Sequence, residues 1–140
     1  MIDLSKFAEA VNVAFEEGTP CILVSADKNG YPDVAFKGST MVFDDQHLAW
    51  WERSLAEQIE QVAANPHVVI LYRSQKRGMV LRFYGDATLL REGQMREDVM
   101  KRVIPQELEK DPERKGFAVV VQVNRVRLSG NTIQTRDGAK

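Results

Sequence analysis

Apolar residues recur along this chain with two different periods, and the places where the period changes divide it into elements. From Asp3 to Phe15, the residues Leu4, Phe7, Ala8, Val11 and Phe15 fall on one helical face, with Asp3 or Ser5 as cap and Gly18 as stop. Cys21 to Ala26 is a short β-type run, and Asp27-Lys28-Asn29-Gly30 supplies the turn residues of a hairpin. Val34 to Phe43 resumes extended structure, interrupted at Gly38, where the missing side chain marks a bulge or the close approach of another backbone or a ligand. Asp44-Asp45-Gln46 turns the chain into a strand from His47 to Glu52. Leu55, Ile59 and Val62 then line one face of a helix from Ser54 to Ala64, which Pro66 ends because the residue before a proline avoids the helical region. Val68 to Tyr72 and Met79 to Leu90 read as strands around the basic turn Gln75-Lys76-Arg77-Gly78. A helix from Glu92 to Arg102, a short turn or helix from Pro105 to Glu109 and a long strand from Phe117 to Leu128 complete the pattern. The tail from Ser129 is expected to be loose at its end.

Strands joined by tight turns must pair antiparallel, because a parallel crossover needs a dozen or more residues. Six or more such strands close best as a barrel, which removes exposed edges. The expected fold is therefore mainly β with flanking helices, a six- to seven-stranded antiparallel barrel forming a single domain over residues 1–140.

Composition narrows the class. The chain has 140 residues, 44% of them hydrophobic and 28% charged, so it is long enough for a core. A domain of this size buries only about two-thirds of the surface its unfolded chain exposes, and dimerising is a common way to add to that. The formal net charge of −1 argues against nucleic acid or an anionic membrane as partner. No apolar run approaches the ~20 residues that span a bilayer. Met1-Ile2-Asp3-Leu4 lacks the regions of a signal peptide, so the expected compartment is the cytoplasm. The single Cys21 excludes an internal disulfide framework, and its neighbours Ile22, Leu23 and Val24 mark it as a buried structural thiol.

Candidate chemistry gathers between Pro32 and Gly85. Lys37, between Phe36 and Gly38 with Ser39 following, can place its ammonium at the barrel mouth; alone on an alternating strand it reads as a solvated, outward lysine. Gly38 would let a flat ligand lie against backbone N–H and C=O groups. Arg53 and Ser54 stand at the start of a helix, where unpaired N–H groups and the helix dipole favour an anion and Arg adds a fork of donors. Ser54 with Glu57 three residues on also fits an ordinary capping box, and the Glu57 carboxylate would compete with a phosphate. Trp50 and Trp51 are adjacent on one strand and face opposite sides, so core filling is expected to account for one and a ligand ring or partner subunit for the other. Arg82 sits on the strand Val80 to Gly85, where an inward charge would need a partner and an outward one would pair with a neighbouring strand.

Other catalytic constellations are missing from the sequence. His47 and His67 are separated by a whole helix with no metal-ligand spacing around them, and no Gly-x-Ser-x-Gly, P-loop or Gly-x-Gly-x-x-Gly occurs. Without a triad or dyad, chemistry here is expected to be borrowed from a cofactor.

Taken in order, Asp27-x-x-Gly30-x-Pro32, Phe36-Lys37-Gly38-Ser39, Leu48-Ala49-Trp50, the helix ending at Asn65-Pro66, Arg77-Gly78 and Arg82-Phe83-x-Gly85-x-Ala87 resemble the pyridoxamine 5′-phosphate oxidase-like superfamily. The resemblance is to its short, general-stress-protein-like members, and it implies a split β-barrel of the FMN-binding type. It further implies a homodimer with FMN in clefts between the subunits. The flavin ring would lie against Val34 to Ser39 and Trp50 to Glu52, and its phosphate near Arg53, Ser54 and Gln58. Many members carry a basic pair, or Asn-Thr, where this chain has Glu57-Gln58. The carboxy-terminal Trp and Arg elements of true pyridoxamine phosphate oxidases are also missing, so that activity is not expected. The implied function is an FMN-dependent oxidoreductase acting on a small-molecule substrate. The alternatives are a non-catalytic module that binds or senses flavin or haem, with His47 or His67 as axial ligand, and a deazaflavin-dependent reductase.

Overall fold

The period-two segments form one antiparallel sheet of eight strands in the computed structural model, which describes residues 1–53 and 57–138. The strands are β1 (Cys21–Ala26), β2 (Pro32–Lys37), β3 (Met41–Val42), β4 (His47–Glu52), β5 (His67–Ser74), β6 (Met79–Leu90), β7 (Phe117–Leu128) and β8 (Asn131–Thr135). Their order is β2-β1-β5-β6-β7-β4-β3, with β8 paired to the second half of β7. The helices are α1 (Ala8–Val11), α2 (Glu57–Ala64), α3 (Gln94–Arg102) and α4 (Pro105–Glu109). The sheet curls into a split half-barrel with these helices at its flanks, as the spacing predicts. No helix is long and apolar enough to cross a membrane among the described residues.

Alternation explains most of the inside. Cys21, Leu23 and Ser25 of β1, Val68, Ile70 and Tyr72 of β5, and Leu81, Phe83 and Ala87 of β6 point into the main core. The amino-terminal segment plugs that core with Leu4, Phe7, Ala10 and Val11, and the Phe7 ring meets Phe83 edge to face at 5.8 Å. Burial pushes the Cys21 thiol up to about 12, so it stays protonated and inert, as its apolar neighbours suggest.

β4 and β7 depart from alternation because they are covered on both faces. Leu48 and Trp50 join the main core, whereas Ala49 and Trp51 pack with Ala118, Val120 and Val99 of α3 in a second cluster. The unbroken apolar runs Leu48–Trp51 and Phe117–Val121 record this double covering. Core filling accounts for both tryptophans, where one was expected: Trp50 and Trp51 are 0% and 1% exposed, although Trp51 still borders a cavity described below.

Four further expectations shift. The tail contains a strand that was not expected: Asn131 to Thr135 form β8, and Gln134 exchanges hydrogen bonds with Asp3, while the expected loose end falls on residues 139–140, outside the described residues. The first helix is a short 3-10 turn (Leu4–Phe7) followed by α1, so Phe15 lies beyond it and is 43% exposed instead of buried. The stretch Val34 to Phe43 is two strands separated by a turn at 38–40, in which Thr40 donates through N–H and Oγ1 to the Lys37 carbonyl. The strand count therefore rises to eight from the expected six or seven.

Gly85 sits where the β6–β7 register shifts. A Cβ there would lie 2.2 Å from the Gln122 carbonyl oxygen and 2.7 Å from Val121 Cγ1. Gly85→Ala is therefore expected to destabilise the fold by about 1–3 kcal/mol through overpacking, measured by urea unfolding. A wild-type midpoint would show that β7 yields at this point.

Candidate functional site

β2 and β4 lie near opposite ends of the strand order, yet their ends touch. Lys37 Nζ is 2.9 Å from Glu52 Oε1, with side chains 13% and 4% exposed. Such a contact requires the sheet to curl until its edges meet, and the 38–40 turn carries the chain across the seam. Ser39 adds a second tie: its Oγ accepts from the Trp51 backbone N–H at 3.0 Å and donates to the Trp51 carbonyl at 3.3 Å. Lys37 thus points inward, not into solvent as its sequence position alone suggests.

Sequence reasoning gave Glu52 only as the end of the strand Trp50 to Glu52 and missed its side chain, as it missed Phe15 and Glu107 at the cavity described below. Counting in twos from Leu48 and Trp50 places it on the inward face of β4, and that is where it lies. Its Oε1 accepts from Trp50 Nε1 at 3.0 Å as well as from Lys37. A buried carboxylate needs this company, because removal from water costs several kcal/mol without it.

A cavity of about 310 Å³ opens at the seam, at the small end of the range for ligand pockets. Phe36, Lys37, Gly38, Ser39, Trp51, Glu52 and Arg53 line it from the seam strands, together with Phe15, Ile104, Gln106, Glu107 and Lys110. Gly38 faces the Phe15 ring closely: a Cβ there would come 3.0 Å from it. Trp51 is held from behind. Its Nε1 donates to Asp111 Oδ2 at 2.9 Å, and the Arg96 guanidinium lies 4.9 Å over its ring. Burial opposes the charge of Asp111, but donation from Trp51 and from the backbone N–H groups of Gly116 and Lys115 holds its carboxyl below the ordinary value.

The anion-binding candidates stand differently. Arg53 lines the cavity, but its Nε donates to Glu107 Oε2 at 2.7 Å. Gln58 is buried away from the cavity and donates to Ser25 Oγ at 3.1 Å. Glu57 is exposed at the beginning of α2, and Ser54 lies outside the described residues. Arg82 projects from the outer face of β6, apart from the cavity, and donates to the Ser129 carbonyl at 2.8 Å. Trp50 backs the site through Glu52 without lining it. Arg77 is held by Glu17, whose carboxyl this hydrogen bond lowers. His47 and His67 bond Asp44 and Asp86, and neither lines the seam cavity. Among the described residues no group of three His, Cys, Asp or Glu side chains could hold a metal ion.

This architecture is that of the split β-barrel proteins, and solved structures share it. HupZ of Group A Streptococcus matches at 19% identity over 90% of this chain and 98% of that one, with a TM-score of 0.70. An FMN-binding protein from Syntrophomonas wolfei matches at 12% identity, 90% and 88% coverage and TM-score 0.70. General Stress Protein 26 of Bacillus anthracis matches at 12%, 94% and 98% coverage and 0.68. At these identities the likeness shows the fold. The sequence model of the pyridoxamine 5′-phosphate oxidase family matches residues 7–130, and the chain belongs to that family. No curated protein matches.

Lys37→Met leaves the Glu52 carboxylate buried without its ammonium, and is expected to cost about 3–5 kcal/mol in urea unfolding. Lys37→Met combined with Glu52→Gln, which keeps an acceptor for Trp50, should recover much of that loss. Strictly additive losses would show that the two groups are not coupled.

Proposed function

We propose that this protein binds FMN at the seam and acts as a flavin-dependent oxidoreductase on a small molecule. The observation that carries the reading is the convergence of Phe36, Lys37, Gly38, Ser39, Trp51 and Arg53 around one cavity, in a chain of this family. Gly38 and Ser39 offer a ring edge their backbone, Trp51 supplies a rigid aromatic wall, and the Lys37 ammonium supplies a donor paired with Glu52. FMN, when bound, would supply hydride transfer. The chain's own residues bind and orient, and the Lys37–Glu52 pair fixes the polarity of the cavity floor. Arg53 is the cation nearest in sequence to the start of α2 and would meet the phosphate, in exchange for its contact with Glu107.

A second copy of the chain completes the proposal. The outer face of β2 exposes Val34 and Phe36 at 61% and 69%, and strand register sets Ile22, Val24, Val69 and Leu71 beside them. A continuous apolar face of this kind marks an association surface, and Phe36 links it to the cavity.

Titration with FMN should shift and quench the flavin spectrum, and Arg53→Ala should weaken binding by about 1–3 kcal/mol. Glu57→Lys should tighten it. A spectrum unchanged at saturating FMN would remove the flavin reading. Val34→Asp should convert a dimer to a monomer in sedimentation; a wild-type chain that sediments as a monomer at high concentration would remove the second copy.

A further inference from the structure

The outer face of the sheet carries a second polar centre that the seam does not use. Register places Arg82 opposite Arg127 and Tyr84 opposite Arg125 on adjacent strands β6 and β7. The Arg125 guanidinium lies 4.0 Å over the Tyr84 ring, and Arg127 Nη1 donates to the Tyr84 hydroxyl at 2.9 Å. Arg82 and Arg127 also donate to the carbonyls of Ser129 and Gly130 in the β7–β8 turn. All of these arginines are half-buried, and among the described residues none has a carboxylate within ion-pair distance. Arg125 Nε is buried and has no acceptor among the described residues. Like charges drawn together and partly removed from water are costly unless an anion joins them.

Tyr84 also lines the larger cavity of this face, about 800 Å³, whose walls include Val24, Val69, His67 and Asp86. The single acid side chain on that part of β6 is already engaged. Asp86 takes His67 Nδ1 at 2.5 Å on one oxygen and Asn124 Nδ2 at 3.0 Å on the other. It lies four residues along β6 from Arg82, about 13 Å away at strand rise. The face is thus polar at both ends and apolar between: Arg136, which donates to the Val123 carbonyl and Asn124 Oδ1, and Asp137 join His67 and Asp86 at one end, and the three arginines of β6 and β7 stand together at the other.

We infer that Arg82, Arg125 and Arg127 form an anion site for a phosphomonoester, whose organic body lies over Tyr84 toward the apolar cavity. Guanidinium forks match phosphoryl oxygens in pairs, and a dianion answers a cluster of positive charge better than a carboxylate does. The phosphomonoester has two sources: a phosphorylated small molecule separate from the seam ligand, or the tail of a flavin reaching this face. The site stands on its own arginines and does not require the seam reading.

Inorganic pyrophosphate, titrated calorimetrically into the intact chain, tests it. Wild type should bind, and Arg127→Gln and Arg125→Gln should each weaken binding about tenfold or more, while Lys101→Ala, an exposed cation on α3, leaves it unchanged. Arg127→Lys keeps the charge without the fork and should fall between, which serves if a glutamine variant does not fold. Comparing FMN with riboflavin separates the sources. A preference for FMN that falls in the Arg127 variants assigns the flavin tail to this site and removes it from Arg53. An unchanged preference alongside weakened pyrophosphate binding assigns a separate phosphorylated molecule. Wild type that takes up no pyrophosphate at millimolar concentration overturns the inference. So does binding that survives in every arginine variant, or variants that lose self-association while still binding pyrophosphate, since a partner subunit's carboxylate would then be the occupant.

Discussion

Closing a sheet whose edge strands are not hydrogen-bonded to one another requires some other force, and here it is a buried charge pair. Glu52 ends an apolar strand on its inward face, so folding carries a carboxylate to the barrel wall whether or not a partner is there. Lys37 ends β2 with the same inward phase, and the curl of the sheet brings the two within 2.9 Å. Neither charge is tolerable alone in that position, so the pair fixes how far the edges can separate. The Ser39–Trp51 hydrogen bonds repeat the tie one step further along. A seam held by side chains differs from a ladder in one useful respect: it leaves a gap. The cavity is that gap, walled by the residues that make the closure.

It follows that the site's shape depends on packing some distance from it. Trp51 can form a wall because α3, α4 and Asp111 hold it from behind, and Gly116 lets β7 pass close enough for this, since a Cβ there would meet Trp51 Nε1 and the Glu52 carbonyl oxygen at 2.6 Å. Phe15 reaches the cavity from beyond the early end of the first helix and packs against Gly38, and Asn12 Oδ1 accepts from the Val42 N–H to shield the short edge strand β3.

Strand positions were legible in the sequence because a period of two survives wherever one face is buried, and β1, β5 and β6 kept it. β4 and β7 were legible for the opposite reason, as unbroken apolar runs, but the same feature hid the fate of the tryptophans. Adjacency implies opposite faces, and only the second cluster under α3 shows that both faces are covered. Gly38, Lys37 and Ser39 could be singled out because glycine and charge are conspicuous within a strand. Their partners could not, since Lys37–Glu52 and Arg53–Glu107 join residues far apart in the chain, and nothing local to Glu107 marks it. β8 was missed because its polar sequence, Asn131 to Thr135, has no apolar face; it is held by pairing to β7 and by the Gln134–Asp3 bonds.

Charge shows the limit most clearly. A count of cations near balance with anions says nothing about which of them are satisfied. In the fold Arg53 and Arg77 meet glutamates, Arg102 caps the carbonyls of Val42 and Phe43 while covering the Phe43 ring, and Arg96 braces Trp51. Each has its donors engaged within the fold. The arginines of β6 and β7, like Arg102, are engaged by an aromatic ring and by carbonyls, which orient a guanidinium without neutralising it, but on β6 and β7 three of them stand together. The outer face is consequently divided, apolar over β2, β1 and β5 and cationic over β6 and β7. An apolar half can be covered by another apolar surface of any origin, whereas the cationic half selects for sign. That division makes the outer face more discriminating than its hydrophobic strands alone suggest.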